Sequence, residues 1–201
     1  MMDENNMDSQ PEYSHELKVP KERIAVLIGT EGETKRKIEE SCSVRLNINS
    51  EEGDVFITSK DAFLIFNAKE VVKAIARGFN PDVALLLLKV DYSLELISLK
   101  DLAKNKNTLK RIKGRIIGTE GKTRRVIEEI MQCSVSVYGK TVGIIGRNEF
   151  VSIAKRAVEM IIEGSPHSSV YRFLEKKRKD MRHSSLDTDE EIDEKFKKFT
   201  D

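Results

Sequence analysis

The sequence predicts an α+β protein made of two tandem copies of one β-α-α-β-β-α module. Three observations carry this. The phrase IGTEGETKRKIEE at Ile28–Glu40 returns as IGTEGKTRRVIEE at Ile117–Glu129, identical at ten of thirteen positions and 89 residues further on. Behind each phrase come an alternating apolar stretch, a glycine-containing turn and a second short strand. Each copy then closes on an apolar helix stopped by glycine and proline. A period near 89 is too long for a solenoid unit and fits two small domains in series.

In the first copy Glu16–Val19 reads as a short strand. Pro20 opens a helix at its first position, where its missing N–H costs nothing. That helix runs from Lys21 to Ile28, and Gly29-Thr-Glu-Gly32 breaks it. A second helix follows from Glu33 to about Ser41. Val44, Leu46 and Ile48 alternate with Arg45, Asn47 and Asn49 as a half-buried strand, Glu52-Gly53-Asp54 turns the chain, and Val55–Thr58 returns. Asp61 to Arg77 is the closing helix, ended by Gly78 with Pro81 three residues on.

The second copy repeats the order. Leu94–Leu99 is its first strand, a helix from about Thr108 to Ile117 leads to the break at Gly118–Gly121, and Lys122–Met131 resumes. Val135 and Val137 mark a strand, Gly139-Lys140 a tight turn and Thr141–Ile145 the return. Asn148 caps a helix running to Glu163, stopped by Gly164 and Pro166. The boundaries expected are a polar, disordered stretch over 1–13, a first domain over 14–90 with a helical extension, a second over 91–182 with a basic helix, and an acidic tail over 183–201.

Of the 201 residues, 39% are hydrophobic and 34% charged, with a net charge of +1, so a polyanion partner must be sought in local patches. The longest dense apolar run, Val83–Leu88, is too short to cross a bilayer, and no membrane association is expected. Cys42 and Cys133 stand in matching Cys-Ser-Val phrases, so each is expected to fill the same buried slot in its own copy. No disulfide is expected, in keeping with a reducing cytoplasm. His15, His167 and His183 show no ligand spacing; neither a metal nor a cofactor is implied.

The doubled phrase carries the chemistry. A Gly-x-x-Gly corner removes side chains where a ligand backbone would approach. The helix behind it points its unpaired N–H groups and positive dipole end outward, which suits a phosphate. Lys35 and Arg36 reinforce the first corner, and Lys122, Arg124 and Arg125 the second. Gly121-Lys-Thr123 is not a P-loop, because that motif needs glycine where Ile116 stands. Glu31 and Glu120 put a carboxylate inside each corner; either it turns away to cap the next helix, or it weakens the grip.

These elements, with IGTEG joining the two central helices, resemble the type I KH domain, whose Gly-x-x-Gly loop clamps about four nucleotides. Across nearly the whole chain, KNKNTLKRIKGRIIGTEGKTRRVIEE, YGKTVGIIG, ARGFNPDVALLLL and EGSPHSSVYRFLEKKR resemble the two-KH small-ribosomal-subunit assembly factors, archaeal relatives of the partner-of-Nob proteins. The resemblance implies binding of single-stranded RNA in the 3′ region of small-subunit ribosomal RNA during precursor maturation, beside the Nob endonuclease and within the pre-small-subunit particle.

Charge separates the copies. From Lys104 to Arg125 nine basic residues face Glu120 alone, whereas six basic residues between Lys18 and Lys37 face Glu22, Glu31 and Glu33. Phosphate affinity is largely electrostatic, so the main RNA site is expected at Lys113, Arg115, Ile117, Gly118, Thr119, Glu120, Gly121, Lys122, Arg124 and Arg125. A secondary site is expected at Gly29, Thr30, Glu31, Gly32, Lys35 and Arg36. Ile116, Ile117, Ile127, Ile130, Val135 and Val137 are candidates for a base platform, with Ile117 the one expected to touch a base. No nucleophile stands beside a base and no carboxylates converge, so no catalytic residue is expected. The competing reading is a protein-interaction scaffold whose first copy docks a protein, with RNA left to the second.

Overall fold

The computed structural model describes residues 13–100 and 105–181. The expectations for 1–12, for Lys104 and for 182–201 lie outside them. The chain divides between Leu94 and Glu95 into two compact units.

The first unit contains β1 (Tyr13–Lys18), α1 (Lys21–Ile28), α2 (Glu33–Cys42), β2 (Arg45–Asn49), β3 (Asp54–Ser59) and α3 (Ala62–Ala76). Its antiparallel sheet has the order β1-β3-β2, in a register that sets Leu17 against Val55 and Leu46 against Ile57. Alternation along the strands turns Leu46, Val55 and Ile57 inward, where they join Ile24 and Leu27 of α1, Ile38 of α2 and Val71, Val72 and Ile75 of α3 in the core. The Asp61 side chain accepts the Phe63 N–H at 2.8 Å and caps α3. Asn80 caps the short α4 (Pro81–Ala84), which continues as a 3-10 turn over Leu85–Leu88.

The second unit repeats the plan with β4 (Tyr92–Ser98), whose first three residues precede the division, α5 (Lys106–Ile117), α6 (Lys122–Met131), β5 (Ser134–Tyr138), β6 (Thr141–Arg147) and α7 (Asn148–Glu163), in sheet order β4-β6-β5. A further helix, α8, spans 167–181. It belongs to this unit's core, because Val170 and Leu174 are fully buried among the same residues as Ile116, Ile127 and Ile144. α8 also serves helix ends that would otherwise lack partners. Arg178 donates to the Ile130 carbonyl at the end of α6 (2.6 Å), and His167 Nε2 lies 2.9 Å from the Arg115 carbonyl at the end of α5. A carbonyl only accepts, so Nε2 carries the proton.

Each unit ties its first helix to the end of its last repeated helix through an arginine. Arg23 donates to the carbonyls of Ile75 (2.8 Å) and Phe79 (2.6 Å), and Arg115 donates to that of Ser165 (2.7 Å).

Four local expectations change. Tyr13, expected in the disordered stretch, is the first residue of β1 and pairs with Ser59. Pro20 sits in the cap position with extended backbone, so Lys21 is the first helical residue. Asn148 is itself the first residue of α7, with Arg147 as its cap. The cysteines do not share a slot: Cys42 is the last residue of α2, whereas Cys133 follows the left-handed Gln132 beyond α6. Cys133 N–H bonds the Glu128 carbonyl as Val44 N–H bonds that of Glu39, so Val44 is its counterpart. The matching Cys-Ser-Val phrases are two residues out of structural register. Both thiols are free and buried.

Candidate nucleic-acid interface

The two glycine corners have the same backbone. Gly118 (φ 75, ψ 174), Glu120 (φ 50, ψ 26) and Gly121 (φ 76, ψ 14) match Gly29 (φ 73, ψ 176), Glu31 (φ 50, ψ 25) and Gly32 (φ 77, ψ 14). The two glycines of a corner have different reasons to be glycine. A Cβ on Gly118 would lie 2.4 Å from Thr123 Oγ1 and 2.7 Å from the Thr123 nitrogen, so this glycine makes room for the chain's own next helix. A Cβ on Gly121 would meet nothing within 4 Å. Only the second glycine therefore leaves an open face to a visiting strand; the first is an internal packing requirement.

Thr123 is the wedge that shapes the second corner. It is 4% exposed, and its hydroxyl accepts from the Tyr171 hydroxyl of α8 at 3.1 Å. The corner is held from its other side by Arg125, whose guanidinium donates to the Glu120 carbonyl at 3.0 Å, as Arg36 does to Glu31 at 2.9 Å. The Glu120 carboxylate is exposed and makes no hydrogen bond or ion pair among the described residues, so the capping alternative for it is not met. It is the carbonyl of this left-handed residue that the corner uses.

Gly121 precedes α6 and offers no capping side chain. The Lys122 N–H is taken by the Thr119 carbonyl and the Gly121 N–H by that of Gly118, so what the start of α6 holds out to an anion is its positive dipole end. Lys122, Arg124 and Arg125 are exposed beside it, and Lys113 is half-buried. Arg124 lies 3.4 Å from Glu128, which itself accepts the Val135 N–H at 2.8 Å. Glu39 receives Leu46 N–H in the same way at 2.7 Å. The first acid of each Ile-Glu-Glu thus pegs the edge strand to the helix. Arg115, although expected at the interface, also has the fold duty at Ser165. Lys106, Lys110, Arg111, Lys113 and Lys122 have no ion pair or side-chain hydrogen bond among the described residues, so their charge is free to face a ligand.

Of the aliphatic candidates, Ile116 and Ile127 are fully buried and Val135 is buried, so they build the core. Ile117, Ile130 and Val137 are half-buried and reach the surface. Thr123, Tyr171, His167 and the pegging glutamates escaped the sequence reading. The repeated Thr and Glu were legible as identities between the two phrases, but nothing in the sequence tied Tyr171 to a threonine 48 residues away.

Two three-stranded sheets, each backed by helices and carrying a glycine corner at a helix start, define a tandem KH-domain protein of the RNA-binding type. The family model described as "Eukaryotic type KH-domain (KH-domain type I)" matches residues 93–179, and the model described as "KH domain" matches 14–77. A KH domain-containing protein of Methanocaldococcus jannaschii is 43% identical over 190 residues, covering 91% of this chain and 83% of that one. A pre-rRNA-processing protein pno1 of Aspergillus fumigatus is 36% identical over 66% of this chain, which spans 55% of that protein. Dim2p from Pyrococcus horikoshii OT3 superposes with a TM-score of 0.76 at 48% identity, over 82% of this chain and 99% of that one. The same archaeal protein in a complex with a/eIF2alpha and rRNA superposes at 0.79 and 46%, over 86% and 97%. The chain belongs to the two-KH-domain family that includes archaeal Dim2p and eukaryotic PNO1.

Proposed function

We propose that this protein is a non-catalytic RNA-binding assembly factor that grips single-stranded RNA in the 3′ region of small-subunit ribosomal RNA, in the cytoplasm, during subunit assembly and pre-rRNA processing. The observation that carries the reading is the open face at Gly121, set before the uncapped start of α6 and ringed by Lys122, Arg124 and Arg125. Backbone N–H groups and cations there would hold the sugar-phosphate chain, and Ile117 would meet a base. Support comes from relatives named as pre-rRNA-processing proteins and from the archaeal neighbour crystallised with rRNA. The Gly29–Gly32 corner, with Lys35 and Arg36, is the secondary site. The Nob endonuclease and the pre-small-subunit particle are the proposed partners.

A protein-docking role for the first unit is favoured by Phe63 and Phe66 on α3, 67% and 58% exposed. It adds to the RNA reading.

Crosslinking the protein to total cellular RNA and mapping the sites tests the main reading. Attachment should concentrate near the 3′ end of small-subunit rRNA, and Gly121→Asp should remove most of it with the circular dichroism spectrum unchanged. Undiminished crosslinking by Gly121→Asp would refute the loop assignment.

A further inference from the structure

In the second unit a cleft of about 420 Å³ opens between the glycine corner and α8. It is lined by Arg111 and Gly114 of α5, by Thr119 and Lys122 of the corner and the start of α6, and by His167 and Tyr171 of α8. We propose that this cleft is a second phosphate subsite, which takes a backbone phosphate of the RNA strand beyond the nucleotides held by the corner itself. The inference rests on the reading that the corner grips RNA, and extends it to the side of the loop built by α8.

Three observations converge. The first is a charge reversal between equivalent positions of the two copies. Arg111 and Lys122 stand where the first copy, 89 residues earlier, has Glu22 and Glu33, and Arg115 stands where it has Val26. The repeated corner keeps one backbone in both copies while this flank exchanges acid for base, so the conformation of the corner does not dictate its charge. Second, the cations are unspent: Arg111 and Lys122 are exposed and have no acidic partner among the described residues. With the Thr119 hydroxyl they offer two positive groups and a neutral donor to one anion.

The third is Gly114. It lies inside α5, where glycine is the poorest residue but proline, yet no positive φ requires it. A Cβ there would meet nothing within 4 Å, so no neighbour in the chain requires it either. The first copy has Ala25 at the equivalent position. A helical glycine that the chain itself does not need, facing a cleft with cations beside it, fits close approach by a strand from outside. α8 supplies a fixed wall, because His167 and Tyr171 are already bonded to the Arg115 carbonyl and the Thr123 hydroxyl.

The test uses single strands of four and twelve nucleotides centred on the same bases. Binding is followed by NMR through the amides of residues 118–122, which reads weak complexes as well as tight ones. Arg111→Glu, which installs the first copy's residue, should weaken the twelve-nucleotide strand about tenfold and flatten its log–log salt slope by about 0.7, the value for one lost phosphate contact. The four-nucleotide strand should bind it as it binds the parent. Gly114→Ala should raise the melting temperature of the second unit by roughly 3–6 °C, since the helix gains and nothing clashes. The subsite is overturned if Arg111→Glu binds the longer strand like the parent, or loses the same factor on both lengths, which would place Arg111 in the corner's own grip. A fall in melting temperature for Gly114→Ala would return that glycine to the fold. Failure of the corner reading looks different: Gly121→Asp would then keep both strands bound.

Discussion

Alanine placed at Gly118 or at Gly121 should damage this protein by different routes, although the two glycines are three residues apart in one corner. At Gly118 the backbone lies in a region essentially closed to residues with a Cβ, a strain of about 1–3 kcal/mol. The new carbon would also sit 2.7 Å from the Thr123 main-chain nitrogen, which has no freedom to swing aside. Overpacking against such a neighbour costs a further 1–3 kcal/mol or so, for a total of about 2–6 kcal/mol. That is a large share of the roughly 5–15 kcal/mol that holds a domain together. At Gly121 the left-handed conformation costs about 1–2 kcal/mol and nothing is struck. Two compact units need not unfold together, so the measurement is residue-resolved amide exchange in α6, with RNA affinity measured alongside. Gly118→Ala should collapse protection across the second unit and take binding with it. Gly121→Ala should leave protection nearly intact. Equal losses at the two positions, or the larger loss at Gly121, would refute the division of labour between them.

Other consequences are open to direct measurement. Thr123→Val keeps the wedge's shape and removes the acceptor for Tyr171, so it should cost about 1 kcal/mol in urea unfolding followed by amide exchange in the second unit. Arg23→Met removes charge-assisted bonds to two carbonyls and should destabilise the first unit by about 2–3 kcal/mol, leaving the melting of the second unchanged. Burial pushes the Cys133 thiol up to about 12, with Glu128 adding to the effect, and burial pushes Cys42 up to about 11. Unfolded thiols ionise near 8.5, so above that pH the unfolded chain sheds protons that the folded chain keeps, and stability falls as pH rises, by at most about 1.4 kcal/mol per pH unit for each thiol. Urea titrations of Cys133→Ala between about pH 8.5 and 10.5 should show a shallower decline than the parent; an identical decline would mean that the thiol ionises in place.

The two units share one fold but differ in the charge around their corners. The backbone of the corner, the locking arginine and the pegging glutamate are the same in both, so these belong to the module. The free cations along α5 and the helix α8 that walls the second corner distinguish the second unit. In the first unit, Lys37 of α2 is paired with Asp82 of α4 at 2.6 Å, so part of its positive charge is already answered within the chain. Electrostatic affinity for a phosphate chain follows the unanswered charge, and the exposed cations Lys106, Lys110, Arg111 and Lys122 of the second unit have no acidic partner among the described residues.

The sequence by itself determined the repeat, the order of elements in each unit and the place of both glycine corners. These follow from local physics: apolar spacing that distinguishes helix from strand, and glycine where the chain must turn left-handed. It also ranked the two corners by charge, since unlike signs along one short segment can be counted without coordinates. Only tertiary structure decided which glycine of each pair faces outward, because Gly118 and Gly121 look alike until Thr123 is seen filling the space beside one of them. It likewise decided that the cysteines lie out of register, that Arg125 and Arg115 hold carbonyls, and that Tyr171 and His167 stand behind the corner. Those facts depend on residues far apart in the chain meeting in a packed core, and pairings of that kind leave no periodic trace in the sequence.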